Sequence, residues 1–230
     1  MRISYLLVML LLLAVPGPGW GAEPAPVPGK DGMVVSAQHL ASDIGAQILR
    51  DGGNAVDAAV AVGYALAVTY PAAGNLGGGG FMTIRLKDGR TDFLDFREKA
   101  PLAATATMFL GPDGIPDRQK SWRSWLAVGV PGTPAGLEAA RLRYGRLSRA
   151  ALLAPAIKLA RDGFMITPDD LALFAPMRDL LAANPATAAI FLPGGHLPAA
   201  YSRFRQPDLA RSLTQISTLG PKRGFYDGPT

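Results

Sequence analysis

Gly74-Asn75-Leu76-Gly77-Gly78-Gly79-Gly80-Phe81-Met82, followed by Asp95-Phe96-Arg97-Glu98-Lys99-Ala100-Pro101, decides how this chain is read. Four consecutive glycines lead into an apolar strand, and an arginine ends the next strand. Glycine has no Cβ, so a run of it lets backbone approach backbone or ligand closely. Arginine presents a planar fork of donors that matches a carboxylate. Phe81 to Leu86 and Asp92 to Phe96 read as the two strands, with Asp88-Gly89 as the hairpin turn between them. Hairpin geometry then returns Arg97 to the level of the glycine run. The expected site holds an anionic small molecule against bare backbone.

Outward from the hairpin, the pattern is mostly helical. Met33-Val34-Val35-Ser36 reads as a short buried strand. Leu40, Ile44 and Ile48 recur at helical spacing, and Gly52-Gly53 stops that helix. Asn54 caps a second helix, Ala55 to Thr69, with Asp57 in its first turn where the helix dipole favours an anion. This helix is apolar nearly all round, which predicts burial on most faces, and Pro71 ends it. Trp125 to Val130 reads as a further strand. It runs into a turn that starts a helix at Pro134, continuing to Tyr144. Ala150 to Arg161 is another helix, closed by Gly163. Thr167-Pro168-Asp169-Asp170 opens a fifth, and Leu209 to Leu219 is a sixth, ended by Gly220-Pro221. Helices on a partly antiparallel sheet, an α/β (α+β) fold, is the simplest architecture.

Composition narrows the function. Arg2 followed by the apolar run Tyr5 to Val15 and the breakers Pro16 to Gly19 reads as an export signal over residues 1–21, with cleavage after Gly21 or Ala22. An uncleaved anchor is the alternative. Residues 22–32 form a Pro-rich flexible lead-in, and 33–230 the folded part. The mature chain is expected to be exported, periplasmic or secreted, with no membrane association after signal cleavage. The absence of cysteine excludes disulfides, thiol nucleophiles and thiolate metal sites, and two histidines exclude a histidine-rich metal site. The net charge of +5 comes from scattered basic residues, with no aromatic-interleaved stripe, so nucleic acid is not an expected partner. No Gly-x-Ser-x-Gly elbow and no Walker-type loop occurs. The glycine run lacks Gly-x-Gly-x-x-Gly spacing, because Met82 or Thr83 falls where the last glycine belongs. By motif alone this is a binding domain without a catalyst.

Six runs together resemble the gamma-glutamyltransferase (gamma-glutamyltranspeptidase) family. They are Gly53-Asn54-Ala55-Val56-Asp57-Ala58-Ala59, Ala73 to Met82, Asp95-Phe96-Arg97-Glu98, Gly129-Val130-Pro131-Gly132-Thr133, Leu159-Ala160-Arg161-Asp162-Gly163-Phe164 and Gly224-Phe225-Tyr226-Asp227-Gly228, in the family's order. The resemblance implies an N-terminal nucleophile hydrolase with an αββα sandwich, incomplete here. It implies a precursor that cuts itself into a large and a small subunit. The small subunit's new N-terminal threonine would attack the γ-glutamyl amide of glutathione and pass the acyl group to water or to an amino acid or peptide. The implied partners are glutathione and other γ-glutamyl compounds, together with that small subunit. No cofactor or metal is implied. The chain stops at Thr230, inside what resembles the large subunit, so no catalytic residue is assigned and the chain alone is expected to be inactive.

One functional residue carries over: Arg97 matches the family arginine that binds the α-carboxylate of the γ-glutamyl group. Without the resemblance, Arg97 reads equally as a structural arginine paired with Glu98 or Asp95. Glu98 beside Arg97, Asn75 orienting the glycine turn, and Gly77 and Gly78 are candidate supports for the site. For Gly77 to Gly80, close strand-to-helix packing is the first reading and pocket lining the second. Asn54 and Asp57 read as caps, and His39, at a helix start, as structural. Two rivals stand beside the transferase: a relative that deacylates cephalosporin-type glutaryl amides, and a truncated, non-catalytic γ-glutamyl-binding remnant.

Overall fold

A computed structural model describes residues 28–228, and from Gly32 on these form one compact unit. The expected export signal (1–21) and residues 22–27 of the lead-in lie outside the described residues. Pro28 to Gly32 are exposed and carry no regular structure.

Local signals place the helices. α1 (His39–Arg50) is capped by the Gln38 side chain, which accepts from Leu40 N–H, and ends at Asp51 and Gly52. α2 (Ala55–Thr69) begins with a capping box: Asn54 Oδ1 accepts from Val56 and Asp57 N–H, while Asp57 accepts from Asn54 N–H. Asp57 is fully buried, and its carboxylate also accepts from the N–H of Arg146 at 3.0 Å and of Leu147 at 3.2 Å. It therefore ties the start of α2 to the loop ahead of α5. As its composition predicts, α2 is buried on most faces, with Val60, Ala61, Tyr64, Ala65 and Val68 at its heart.

The hairpin is β1 (Phe81–Arg85) and β2 (Thr91–Asp95), antiparallel, with Phe81 opposite Asp95. Gly89 takes φ +87°, which its turn requires. One face of the hairpin turns Ile84 and Leu94 into the core. The other leaves Phe81 and Phe93 exposed, their rings stacked at 5.7 Å. After a long excursion containing α3 (Arg118–Arg123) come α4 (Thr133–Tyr144) and α5 (Arg149–Asp162). The short helices α6 (Pro168–Phe174), α7 (Arg178–Ala182) and α8 (Pro185–Phe191) follow, then α9 (Pro207–Pro221). α6 carries the expected Thr167–Asp170 capping box. A second two-stranded pair, β3 (Phe164–Met165) with β4 (Arg203–Phe204), joins the start of α6 to the approach of α9. α1, α4 and α5 pack around α2, and α9 packs on α5.

Two expected strands are not strands. Met33 to Ser36 is extended but pairs with nothing among the described residues, and Val35 is 81% exposed rather than buried. The apolar pattern is strand-like, but a strand forms only where a neighbour supplies its hydrogen bonds. Trp125 to Val130 is instead a 3₁₀ turn (Trp125–Ala127) followed by extended backbone, joined only at Val130 to Lys99. Ser124 Oγ accepts from Leu126 N–H and starts that turn, a local bond that outcompetes a strand. Among the described residues no helix is long and apolar enough to cross a membrane.

Candidate functional site

The glycine run is a turn clamped at both ends. Gly74 N–H donates to Tyr70 O at 2.7 Å, fixing the turn to the end of α2. Asn75 spans the middle: its Nδ2 donates to Ala73 O at 2.9 Å, and its Oδ1 accepts from Gly78 N–H at 2.9 Å and from Thr133 Oγ1 at 2.7 Å. Gly78 O accepts from the N–H of Gly132 at 2.7 Å and of Thr133 at 3.0 Å. These two donors are orphan amides at the start of α4, which has no side-chain cap. Tyr226 completes the start: its hydroxyl accepts from Ala135 N–H and donates to Pro131 O at 2.8 Å. The donors that would make this helix end an anion site are thus already used.

The run then continues the hairpin by one further pair. Phe96 N–H donates to Gly80 O at 3.0 Å, so Gly79 stands opposite Arg97. A Cβ on Gly79 would lie 2.8 Å from Arg97 Cα and 2.6 Å from Phe96 O. The hairpin expectation therefore holds: the bare backbone and Arg97 are adjacent. The glycines divide the work. Gly79 and Gly80 pack against the strand that bears Arg97, and Gly78 packs against the Asn75 side chain. Gly77 faces open space, with nothing within 4 Å of a would-be Cβ. Close packing is the right account for three of the four, but against the neighbouring strand and Asn75 rather than a helix.

Past Phe96, the chain is fixed a second time. Lys99 and Val130 exchange both backbone bonds, at 3.2 and 2.7 Å. Only Arg97 and Glu98 lie between the two clamps, and Arg97 N–H itself donates to Asp95 Oδ1 at 3.0 Å. The side chains are freer. Arg97 is 71% exposed, and its one ion pair among the described residues is a long 3.8 Å contact with Glu98. An exposed pair of that length contributes little. Arg97, Glu98 and Lys99 line a cleft of ≈ 460 Å³ together with residues of the excursion between the Lys99 and Val130 clamps. Asn75, Gly77 and Gly78 do not line that cleft.

Sequence reasoning missed what seats Phe96. A Cβ on Gly132 would meet Phe96 O and lie 3.1 Å from Arg97 O. A Cβ on Gly136 would fall within 3 Å of Phe96 Cβ, Cγ and Cδ1. The two glycines, one helical turn apart, form a notch in α4 for the residue before Arg97. The spacing Gly132-x-x-x-Gly136 was the available signal.

The model of the gamma-glutamyltranspeptidase family matches residues 41–230. The chain belongs to the gamma-glutamyltranspeptidase family. It is 54% identical over 208 residues to the glutathione hydrolase proenzyme of Pseudomonas sp. strain A14, covering 90% of this chain and 36% of that one. The crystal structure of Helicobacter pylori gamma-glutamyltranspeptidase superposes with a TM-score of 0.86 at 46% identity, covering 89% of this chain and 59% of that one. A cephalosporin acylase from Bacillus halodurans follows at TM-score 0.75 and 28% identity, over 90% of this chain and 40% of that one. The chain thus spans about a third of the length of the glutathione hydrolase proenzyme it matches. The fold is the mixed helix and sheet arrangement of gamma-glutamyltranspeptidases, an incomplete form of the αββα sandwich.

Proposed function

We propose that this chain is the N-terminal part of the large subunit of an exported, self-processing gamma-glutamyltransferase and glutathione hydrolase, and that Arg97 binds the α-carboxylate of the γ-glutamyl group. The observation that carries this is the state of Arg97: its backbone is clamped on both sides, while its guanidinium makes one weak ion pair at the mouth of a cleft. A carboxylate docked there accepts two parallel N–H bonds from the fork. Glu98 limits the sweep of the guanidinium, and the Asn75–Gly78–Thr133 bonds hold the wall behind it. Anchoring the carboxylate fixes where the γ-amide lies, so the residue that attacks it meets an oriented carbonyl. In this reading the attacking threonine, which uses its own amine as base, comes from the small subunit encoded beyond Thr230.

A second reading, a glutaryl acylase, needs the same carboxylate anchor. The chain's 28% identity to the Bacillus halodurans acylase, against 46% to the Helicobacter pylori enzyme, favours the γ-glutamyl reading. The test is to express the gene to its natural stop codon and assay release from glutathione and from a glutaryl amide. The expected result is self-cleavage, glutathione hydrolysis, and a large rise in KM in Arg97→Ala. Hydrolysis of the glutaryl amide alone would transfer the protein to the acylases. A stop codon directly after Thr230 would leave only a binding remnant.

A further inference from the structure

The excursion between the Lys99 and Val130 clamps does not contribute to the core. No side chain of the excursion belongs to the hydrophobic core, which takes Phe96 before it and Leu137 after it. Yet the excursion is rich in large apolar residues: Leu102 is fully exposed, and Leu126 and Val128 are about half exposed at 48% and 53%. It is nevertheless well ordered by its own bonds. Gly111 N–H donates to Ile115 O and Asp117 N–H to Phe109 O, both at 2.8 Å. Lys120 Nζ donates to Leu110 O at 2.6 Å, and Ser124 Oγ to Lys120 O at 2.6 Å. Met108, Phe109, Leu126 and Val128 line the same cleft as Arg97. The lining therefore combines the charged residues 97–99 with apolar side chains of the excursion, and the two adjoin at Gly129, where a Cβ would lie 3.0 Å from Glu98 Cβ.

We propose that Met108, Phe109, Leu126 and Val128 are the specificity wall of the Arg97 cleft. They select γ-glutamyl amides whose amide nitrogen carries an apolar group over those that carry a small or polar one. The proposal rests on Arg97 anchoring the carboxylate. With the carboxylate held at Arg97, the substituent on the amide nitrogen lies within the cleft that these apolar side chains also line. An apolar substituent there covers side chains that otherwise face water, whereas a polar one gains nothing and loses hydration. No bond to the wall is made or broken, so the wall acts on binding and not on the chemical step.

The test is the KM of the protein expressed to its natural stop codon for γ-glutamylglycine and γ-glutamylleucine, which share one amide and two carboxylates and differ by an isobutyl group. The leucine compound is expected to show a KM about tenfold lower, the discrimination that an apolar pocket gives a small alkyl group. Leu126→Gln with Val128→Thr, at exposed positions, should abolish the preference. Leu126→Met with Val128→Ile should keep it. Equal KM values in the unmodified protein, both raised in Arg97→Ala, would overturn the wall and leave the anchor standing. A preference that the Gln/Thr pair abolishes while Arg97→Ala changes nothing would uphold the wall and sink the anchor. Turnover of neither dipeptide would overturn the wall, and the anchor would then be judged by the KM of Arg97→Ala for glutathione.

Discussion

Gly136→Ala tests the claim that α4 positions Arg97 through Phe96. Taken alone, the change favours the helix, because alanine is about 1 kcal/mol better than glycine in a helix interior. The structure reverses the sign. The new methyl would lie 2.6 Å from Phe96 Cδ1 and closer still to Phe96 Cβ and Cγ, at the root of the side chain and not its flexible end. Phe96 has nowhere to retreat. Its N–H is bonded to Gly80 O at 3.0 Å, and its ring already lies 3.0 Å from where a Gly80 Cβ would sit. Overpacking of this kind costs about 1–3 kcal/mol, and contact with three atoms puts the cost at the upper end. The net loss is about 2 kcal/mol after the helix gain. In a unit of this size that lowers Tm by about 4–8 °C, read by circular dichroism. Phe96→Leu in the same chain should relieve part of the loss, a coupling that a double-mutant cycle measures. Gly77→Ala is the control: with open space around it and no positive φ, it should leave Tm unchanged or raise it slightly. A Gly136→Ala chain as stable as the unmodified one would refute the notch.

Three further outcomes follow from other bonds. Arg97→Ala and Arg97→Lys should each leave the unfolding free energy within about 0.5 kcal/mol of the unmodified chain, since the exposed guanidinium supports nothing. Both should weaken γ-glutamyl binding, by roughly 2–5 kcal/mol for alanine, where a carboxylate is left unpaired. A Tm loss that parallels the binding loss would make Arg97 structural. Asp57→Asn replaces one acceptor oxygen by a donor, which then meets the N–H of Arg146 and that of either Asn54 (at Oδ2) or Leu147 (at Oδ1), and urea unfolding should show a loss of about 2–3 kcal/mol. Glu138 gives a pH signature. Burial raises its carboxyl pKa, but hydrogen bonds from Arg141 and Arg149 outweigh burial and bring it down to about 2 from 4.5. A lowered folded-state pKa stabilises the fold above the unfolded value, and that contribution is lost as pH falls from about 4.5 towards 2. The stability gap between the unmodified chain and Glu138→Gln should therefore be full at neutral pH and close across that window. A gap that is constant down to pH 2 would refute the assignment.

The parts of the fold that were legible in the sequence are those set by neighbours along the chain. The Asn54–Asp57 and Thr167–Asp170 boxes close within three residues, and the Asp88-Gly89 turn pins the register that carries Arg97 to the glycine run. The two misread strands failed for opposite reasons. Met33 to Ser36 has strand chemistry but finds no strand to pair with among the described residues. Trp125 to Val130 has apolar residues that serve a cleft and not a sheet. Composition cannot separate those two uses of an apolar run. The braces on α4 were hidden because they are long-range: Tyr226 reaches Pro131 across 95 residues, and Thr133 reaches Asn75 across 58. No window of sequence contains both partners.

The case for Arg97 as a ligand-binding residue is sharpest beside the chain's other arginines. Arg141 and Arg149 bury their side chains to 16% and 26% exposure and share the Glu138 carboxylate at 2.9 and 2.6 Å. That is how an arginine serves structure: the guanidinium is spoken for, and breaking the pair strands a buried charge. Arg97 inverts the pattern. Its root is fixed by backbone alone, through the Gly80–Phe96 and Lys99–Val130 pairs and the Asp95 bond to its N–H. Its tip is left with a 3.8 Å contact that Glu98 can surrender at little cost. Fixing the root removes much of the ordering that would otherwise oppose binding, and leaving the tip unpaired keeps its full donor fork for an incoming anion. A glycine on the facing strand is the corollary. Any side chain at Gly79 would collide with Arg97 Cα and push the root out of place, so the bare backbone is the condition for the clamp as well as the wall behind it. The consequence is measurable. Gly79→Ala should impair γ-glutamyl binding as Arg97→Ala does, but with a fall in Tm that Arg97→Ala lacks. Equal effects of the two variants on Tm would mean that the glycine run does not position the arginine.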